Sequence, residues 1–449
     1  RTEPISLRKA RLTKIRNWIH LNRKAIHEAM YADFRKPAVE VDGIELFHVL
    51  SEIKLAINNL EDWAKPKKVD APITMLGTRS FIQYEPRGVC LIISPWNYPF
   101  SLAIGPLVSA LAAGNAVILK PSELTPHVSS LIKKMADEIL DKNTVLVFEG
   151  GPEVSQHLLT LPFDHIFFTG SPAIGKLIMK AAAENLTSIT LELGGKSPAV
   201  VTDSANIKEA AQRTAVAKFV NNGQTCVAPD YVLVDEKIAD RFVSAVIDQT
   251  KKLFAEDNDF ESSKSYCRIV NDKHFTRLND LLQDALHQGA KLELGGKVDP
   301  GSRFIHPMIL TQVPDKARML TEEIFGPILP ILTYGKLDQA IAIVNNKPKA
   351  LALYVFTNRQ RDRNKILQET SAGAACVNDC GIHFLHHNLP FGGVNNSGIG
   401  KSHGYFGFLA FSNEKPVLKQ KSGLTSVKAF YPPYTPWSKK LMDWFLNLF

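Results

Sequence analysis

Five apolar residues in succession, Val89-Cys90-Leu91-Ile92-Ile93, constrain the fold more than anything else in this chain. A strand with one wet face alternates polar and apolar residues. An unbroken run belongs to a strand buried on both faces, in a parallel sheet covered by helices above and below. The next eighty residues keep that rhythm. A helix is expected over 101–113, stopped by Gly114-Asn115, then a strand over 116–119, a helix over 128–140 and a strand over 144–148. A short helix from Glu153 and a strand over 165–169 follow. This order predicts a doubly wound α/β unit of the Rossmann-like kind.

At 449 residues the chain exceeds what one core organises, so further substructure is expected. Upstream, Leu12, Ile15, Trp18, Ile19, Ile26 and Met30, and again Leu50, Ile53, Ala56, Ile57 and Leu60, recur at helical spacing. Between them and the first strand, 73–76 and 81–84 flank Gly77-Thr78 and predict a two-stranded ribbon. A second alternating region runs from about 197 to 400. It has helices over 207–221, 275–288 and 337–345, and strands near Val232, Leu353 and Ala375, with the boundary near Gly194-Gly195.

Five scattered cysteines argue against a disulfide framework and for a reducing compartment. No apolar run is long enough to span a bilayer, and no apolar signal core opens the chain. The net charge of +8 is concentrated late, where seven lysines oppose Glu414 and Asp443 from Lys401 onward. Lys and Arg are not interleaved with aromatics across a domain, so nucleic acid is not an expected partner. An anionic surface near the C-terminus is the better electrostatic expectation.

Four local sequences carry the chemistry. In Asn222-Gly223-Gln224-Thr225-Cys226, Gly223 can end a helix in the left-handed conformation and deliver Cys226 into a loop, where an ionised thiol is a nucleophile. In Leu191-Glu192-Leu193-Gly194-Gly195-Lys196, a carboxylate between leucines should have a raised pKa, suiting a general base. In Pro95-Trp96-Asn97-Tyr98-Pro99, the Asn97 amide can donate to a developing oxyanion. Lys120-Pro121-Ser122-Glu123, and Gly170 to Gly175 with Ser171, are strand-to-helix turns of the kind that admit a pyrophosphate. Each is weak alone: a single cysteine is more often a buried structural thiol, and a lone glycine turn more often an ordinary loop.

Together, in this order, these segments resemble the aldehyde dehydrogenase superfamily from about residue 10 to 430. Phe168-Thr169-Gly170-Ser171, Glu322-Glu323-Ile324-Phe325-Gly326-Pro327 and Pro390-Phe391-Gly392-Gly393 extend the match. Cys226-Val227-Ala228-Pro229-Asp230-Tyr231 and Asn388-Leu389-Pro390 with Asn396-Ser397-Gly398 are similar to its class three branch, which includes fatty aldehyde dehydrogenases. The resemblance implies oxidation of aldehydes, medium or long-chain aliphatic or aromatic, to acids through a thiohemiacetal and a thioester on Cys226. It implies Glu192 as base, and Asn97 with the Cys226 amide as oxyanion hole. It also implies Lys120 and Glu123 at the adenosine ribose, Ser171 at the pyrophosphate, and Glu323 with Phe325 at the nicotinamide riboside. Tyr98 and Phe391 are expected to line the substrate pocket. Glu123 should accept from both ribose hydroxyls and repel a 2′-phosphate, so NAD is the expected cofactor, with NADP as the alternative in view of Lys120.

The implied layout is a cofactor domain over 1–67 and 88–194, a catalytic domain over 195–402, bridging strands over 68–87 and 403–430, and a terminal helix over 431–449. The bridging strands imply a homodimer. Trp437, Leu441, Trp444, Phe445, Leu448 and Phe449 share one helical face, which fits either a docked helix or one that gates a substrate funnel and touches a membrane peripherally. The expected location is cytoplasmic or on the cytosolic face of a membrane. His383, His386 and His387 lack partner spacing, and no metal is expected. Two alternatives stay open. One is a coenzyme A-acylating relative, against which an intact Glu192 counts; the other is a catalytically silent relative, against which Cys226, Glu192 and Asn97 count together.

Overall fold

The structure, a computed structural model, describes residues 3–447 except 73, 74, 76, 424 and 425. Helix α1 (Ile5–Phe34) leads through a one-turn α2 (Ala38–Glu40) and a π-helical turn (Val41–Leu46) into α3 (Phe47–Trp63). A ribbon begins with β1 (Lys67–Val69) and β2 (Arg79–Pro86), paired antiparallel. Lys67–Val69 pairs with Ser80, Phe81 and Ile82, and of the partner expected at 73–76, Ile73, Thr74 and Leu76 lie outside the described residues. A polar Lys-Lys-Val edge strand leaves no period-2 signal to read.

The first sheet is built from β3 (Val89–Ile93), β4 (Ala116–Lys120), β5 (Val145–Val147), β6 (His165–Gly170) and β7 (Ser188–Leu193), all parallel. Helices α4 (Ser101–Ala113), α5 (Pro126–Ile139), α6 (Pro152–Leu158) and α7 (Pro172–Ala183) connect them. The unbroken apolar run of β3 has a direct cause. Cys90 and Ile92 pack into the core under α1, α3 and α4, while Leu91 and Ile93 pack into a separate core with Phe168 and Ile178. Each fully buried Ile or Leu contributes about 1.5–3 kcal/mol, so both faces select for carbon.

After β7 the chain crosses to a second sheet in four residues, Gly194 to Ser197. That sheet holds β8 (Pro198–Val201), β9 (Tyr231–Asp235), β10 (Lys291–Leu294), a separate hairpin of β11 (Val298–Asp299) and β12 (Phe304–Ile305) beside it, then β13 (Met308–Thr311), β14 (Ile328–Tyr334), β15 (Ala350–Phe356) and β16 (Ala372–Val377). Its strand order is β10-β13-β14-β9-β8-β15-β16, with only β10 antiparallel. Its helices include α8 (Ile207–Phe219), α9 (Ala239–Phe254), α10 (Asp272–His287), α11 (Leu337–Asn345) and α12 (Gln360–Glu369). β15 repeats the logic of β3: Leu351 and Tyr354 enter one core, Leu353 and Val355 another.

The strand β17 (Gly398–Ile399), placed by the sequence within the second unit, instead pairs antiparallel with β7 of the first sheet. Next, α13 (Gly404–Ala410) packs on α3 and α4, and β18 (Ser412–Lys419) completes the ribbon along all eight residues of β2. The terminal α14 (Pro436–Leu446) buries none of its described residues, and Trp437 and Trp444 are 65% and 57% exposed. Leu448 and Phe449 lie outside the described residues. Among those described, no helix is long and apolar enough to cross a membrane.

Candidate active site

Strand order in the first sheet reverses at β3, flanked by β4 and β6. In such sheets ligands bind outside the carboxyl ends of the strands at this switch point. The Pro95-Trp96-Asn97 loop after β3 and Gly170-Ser171 after β6 therefore face the same crevice. The second sheet approaches that crevice with its strand beginnings, because the crossing from Glu192 to Pro198 is so short.

Cys226 reaches the crevice by an unusual turn. Helix α8 ends at Phe219, two residues before the expected end, and Asn221, Asn222 and Gly223 all take positive φ (53°, 56° and 70°). Asparagine tolerates this region and glycine adopts it freely. Gly223 is also sterically required, since a Cβ there would stand 2.3 Å from the Gly326 oxygen. Buried Gln224 pins the turn: its amide nitrogen donates to the oxygens of Asn221 and Arg268 at 3.1 Å each, and its side-chain oxygen accepts from the Val270 N–H at 3.0 Å.

The loop bearing Asn97 is anchored from two sides. Asn97 Nδ2 donates to the Gln224 oxygen at 3.0 Å. The Asn97 backbone oxygen accepts from Asn221 Nδ2 at 2.8 Å and from Lys36 Nζ at 3.2 Å. Lys36 pairs at 2.6 Å with Glu45, both side chains being wholly buried, and Glu45 accepts from the backbone N–H groups of Phe100 and Ser101. Glu45 stands in the π-helical turn, a distortion that often marks function. Sequence reading missed Lys36 and Glu45, because nothing local betrays a buried pair whose purpose lies sixty residues away.

The electrostatics disfavour charge at rest. Burial, with Glu323 and Glu192 nearby, pushes the Cys226 thiol up to about 12, against the pull of its own N–H and that of Val227. Burial likewise raises the Glu192 carboxyl to about 8, while the Ser402 hydroxyl, donating at 2.8 Å, and Lys401 hold it down. Glu323 rises to about 7 through burial and Asp230, opposed by the Gly195 N–H at 2.9 Å, Lys196 and Arg277. A site with two carboxyls titrating near neutrality can move protons but does not favour a free thiolate at rest.

A cleft of about 1600 Å³, open to solvent, runs between the sheets and is lined by Asn97, Gly170, Ser171, Glu192, Glu323 and Phe325 among others. Gly194 admits it closely: a Cβ there would strike Glu323 at 2.4 Å. Phe325 is held at φ 50° with its ring edge-on to Trp96, 5.4 Å between centroids. The Ser171 hydroxyl caps its own helix, accepting from the Ile174 N–H, so α7 presents its N-terminus to the cleft. Gly175 does not face the cleft. It lets α7 press on β7, where a Cβ would meet Leu193 at 2.8 Å. Lys120 and Glu123 pair with each other at 2.7 Å at the end of β4, outside this cleft's lining. The Met319–Ile324 loop is fastened by a pair the sequence reading left without a role: buried Lys196 holds Asp230 and the oxygens of Met319 and Glu322, and Asp230 accepts from the Ile324 N–H.

Two more cavities reach Cys226. One, of about 840 Å³ with its mouth, is an apolar tunnel lined by Ile44, Tyr98, Leu102, Val216, Phe384 and Leu385. Its lining hydroxyl Thr225 is bonded to Tyr98 at 2.8 Å. The other lies deeper and includes Glu192, Ser402, His403 and Phe391. Tyr98 and Phe391, expected in one pocket, thus line different ones.

A crevice at the switch point of a doubly wound sheet, where such folds bind dinucleotides, shared with a second α/β unit that brings in a half-buried cysteine, is the arrangement of a cofactor-dependent oxidoreductase. A family model, described as the aldehyde dehydrogenase family, matches residues 1–417. The chain is 43% identical over 446 residues to the 4,4'-diaponeurosporen-aldehyde dehydrogenase of Staphylococcus aureus, covering 99% of this chain and 96% of that one. It is 40% identical over 445 residues to the mouse (Mus musculus) aldehyde dehydrogenase family 3 member B2, covering 99% and 91%. A solved substrate-bound state of a Staphylococcus aureus AldH superposes with a TM-score of 0.95 at 43% identity, covering 99% and 96%. The chain belongs to the aldehyde dehydrogenase family and is an NAD(P)-dependent enzyme that oxidises aldehydes.

Proposed function

We propose that the aldehyde carbon is attacked by Cys226 and that Glu192 directs hydrolysis of the resulting thioester. The observation that carries this reading is that Cys226 lines all three cavities, with Asn97 on one wall and Glu192 on another. As sulfur closes on the carbonyl carbon, the thiol proton passes to a neighbouring carboxylate; Glu323 and Glu192 are the two that bear on it. The oxyanion takes the second Asn97 amide hydrogen and the Cys226 N–H, donors fixed before the charge develops. Bound NAD(P) supplies the hydride acceptor, and the glycine-cleared cleft at Gly194 and Glu323 suits its approach. Glu192 then takes a proton from water, whose oxygen joins the thioester carbon; as the C–S bond breaks, the sulfur takes back the thiol proton held on Glu323, and the acid is released.

The tunnel supports an aldehyde borne on a long or ring-bearing hydrocarbon, since little in its wall rewards a polar chain. Glu123 supports NAD over NADP: its carboxylate repels a 2′-phosphate, and Lys120 is already engaged by it. The layered ribbon of β1, β2 and β18 supports a homodimer built on its edges. Exposed Trp437 and Trp444 beside Lys439 and Lys440 support peripheral contact of α14 with an anionic lipid surface.

The test is NADH formation from short, long and aromatic aldehydes, with and without coenzyme A, and with the product identified. Free acid made without coenzyme A is the expected result. A strict need for coenzyme A overturns hydrolysis by Glu192.

A further inference from the structure

Resting on that reading of Glu192, we infer that Glu52, His403 and His48 form the relay through which Glu192 sheds the proton taken from water. The inference starts from traffic. With an aldehyde in the tunnel and a dinucleotide in the cleft, the deep cavity is the remaining way out from the base. That cavity, about 570 Å³ with its throat, is lined by Glu192, Ser402, His403, Glu52, His48 and Ser101. Four polar atoms buried around it, Glu192 Oε2, Glu52 Oε1, Ser101 Oγ and His403 Nδ1, have no partner. Buried polar atoms gathered on one cavity call for water between them.

Three consecutive residues connect the base to this cluster. Ser402 donates to Glu192 at 2.8 Å, His403 lies next, and the Gly404 N–H donates to Glu52 at 2.7 Å. His403 is held at φ 72°, a left-handed conformation that costs a non-glycine residue and that neighbours must enforce. Its ring is stacked on Phe391, 4.8 Å away and 8° from parallel, and lies 4.7 Å from His48.

The groups that face the cluster are His48 and Glu52 from α3, His383 and His387 from the 382–387 segment, and Lys401 toward Glu192. Burial keeps both imidazoles neutral, His48 at about 4 and His403 well below its ordinary value, so each can accept at one nitrogen and donate from the other. Burial lifts Glu52 to about 7, near the value of Glu192, so neither carboxyl traps the proton. The balance is simple. Water loses a proton to Glu192 as its oxygen joins the thioester carbon. The Glu192 carboxyl passes that proton through Ser402 or cavity water to the Glu52 carboxylate. His403 and His48 hand it on past half-buried His387, and no electrons move.

Rapid-quench mass spectrometry of the acylated full-length chain tests this with Glu52→Gln, His48→Phe and Glu192→Gln. Both relay variants are expected to lengthen acyl-enzyme lifetime at least about tenfold, enlarge the solvent deuterium isotope effect and be partly rescued by imidazole or formate. First-turnover NADH formation should not change. If Glu52→Gln fails to fold, His48→Phe carries the test. Deacylation lost in Glu192→Gln but untouched in the relay variants overturns the relay alone. Deacylation that survives Glu192→Gln overturns the base assignment and the relay with it.

Discussion

Asn97 donates from its side-chain amide to the backbone oxygen of Gln224 at 3.0 Å, which ties the loop after the first parallel strand to a point two residues before Cys226. One amide hydrogen fixes the loop, and on the proposed reading the other serves the oxyanion. Asn97→Ala should therefore lower kcat by about 10²–10³ while cofactor affinity holds. Gln224 keeps its bond from Asn221, so the fold should persist. Steady-state kinetics with cofactor titration decides it, and an unchanged kcat removes Asn97 from the oxyanion hole.

Cys226→Ala should abolish NADH formation yet bind dinucleotide as the parent does, measured by protein fluorescence quenching. Turnover in this variant is incompatible with a covalent route.

Glu192, Glu323, Glu52 and Glu40 all sit at about 7 to 8 in the fold, against an ordinary value of 4.5. Between these limits the folded chain keeps protons that the unfolded chain releases, so stability falls as pH rises from about 5 to 8. Glu192→Gln should thus melt higher than the parent at pH 8 and alike at pH 4. Deacylation runs the other way: it needs the carboxylate and should rise with pH through about 8. Melting curves and a pH–rate profile on the same preparations test both signs.

Lys36→Met should destabilise the protein by about 3–5 kcal/mol, because it strands a buried Glu45 carboxylate without its countercharge. It should also lower kcat more than affinity, through the freed Asn97 backbone. Urea unfolding followed by kinetics separates the two effects.

Deleting 437–449 should reduce activity on long-chain aldehydes more than on short ones, and should abolish cosedimentation with anionic vesicles. Equal loss on all substrates speaks against a gating role for α14.

What could be read beforehand was what is local. The run 89–93 announced a doubly covered strand because two separate cores claim its alternate residues. Cys226, Glu192 and Asn97 each sit in a short motif with its own turn chemistry. What could not be read was long-range or irregular. Ser402 reaches Glu192 across 210 positions, Lys36 serves Asn97 from the far side of a π-turn, and β1 is a polar edge with no periodic signal. In the sequence Gly175 reads as a phosphate glycine, because a turn glycine and a packing glycine look alike without the opposing Leu193.

Because Cys226 stands where three separate passages converge, the enzyme's visitors need not queue at one door. On the proposed reading, the acid backs out through the carbon-lined tunnel and the spent nucleotide through the cleft. The order in which the two leave is then set by their own residence times, not imposed by the protein's shape.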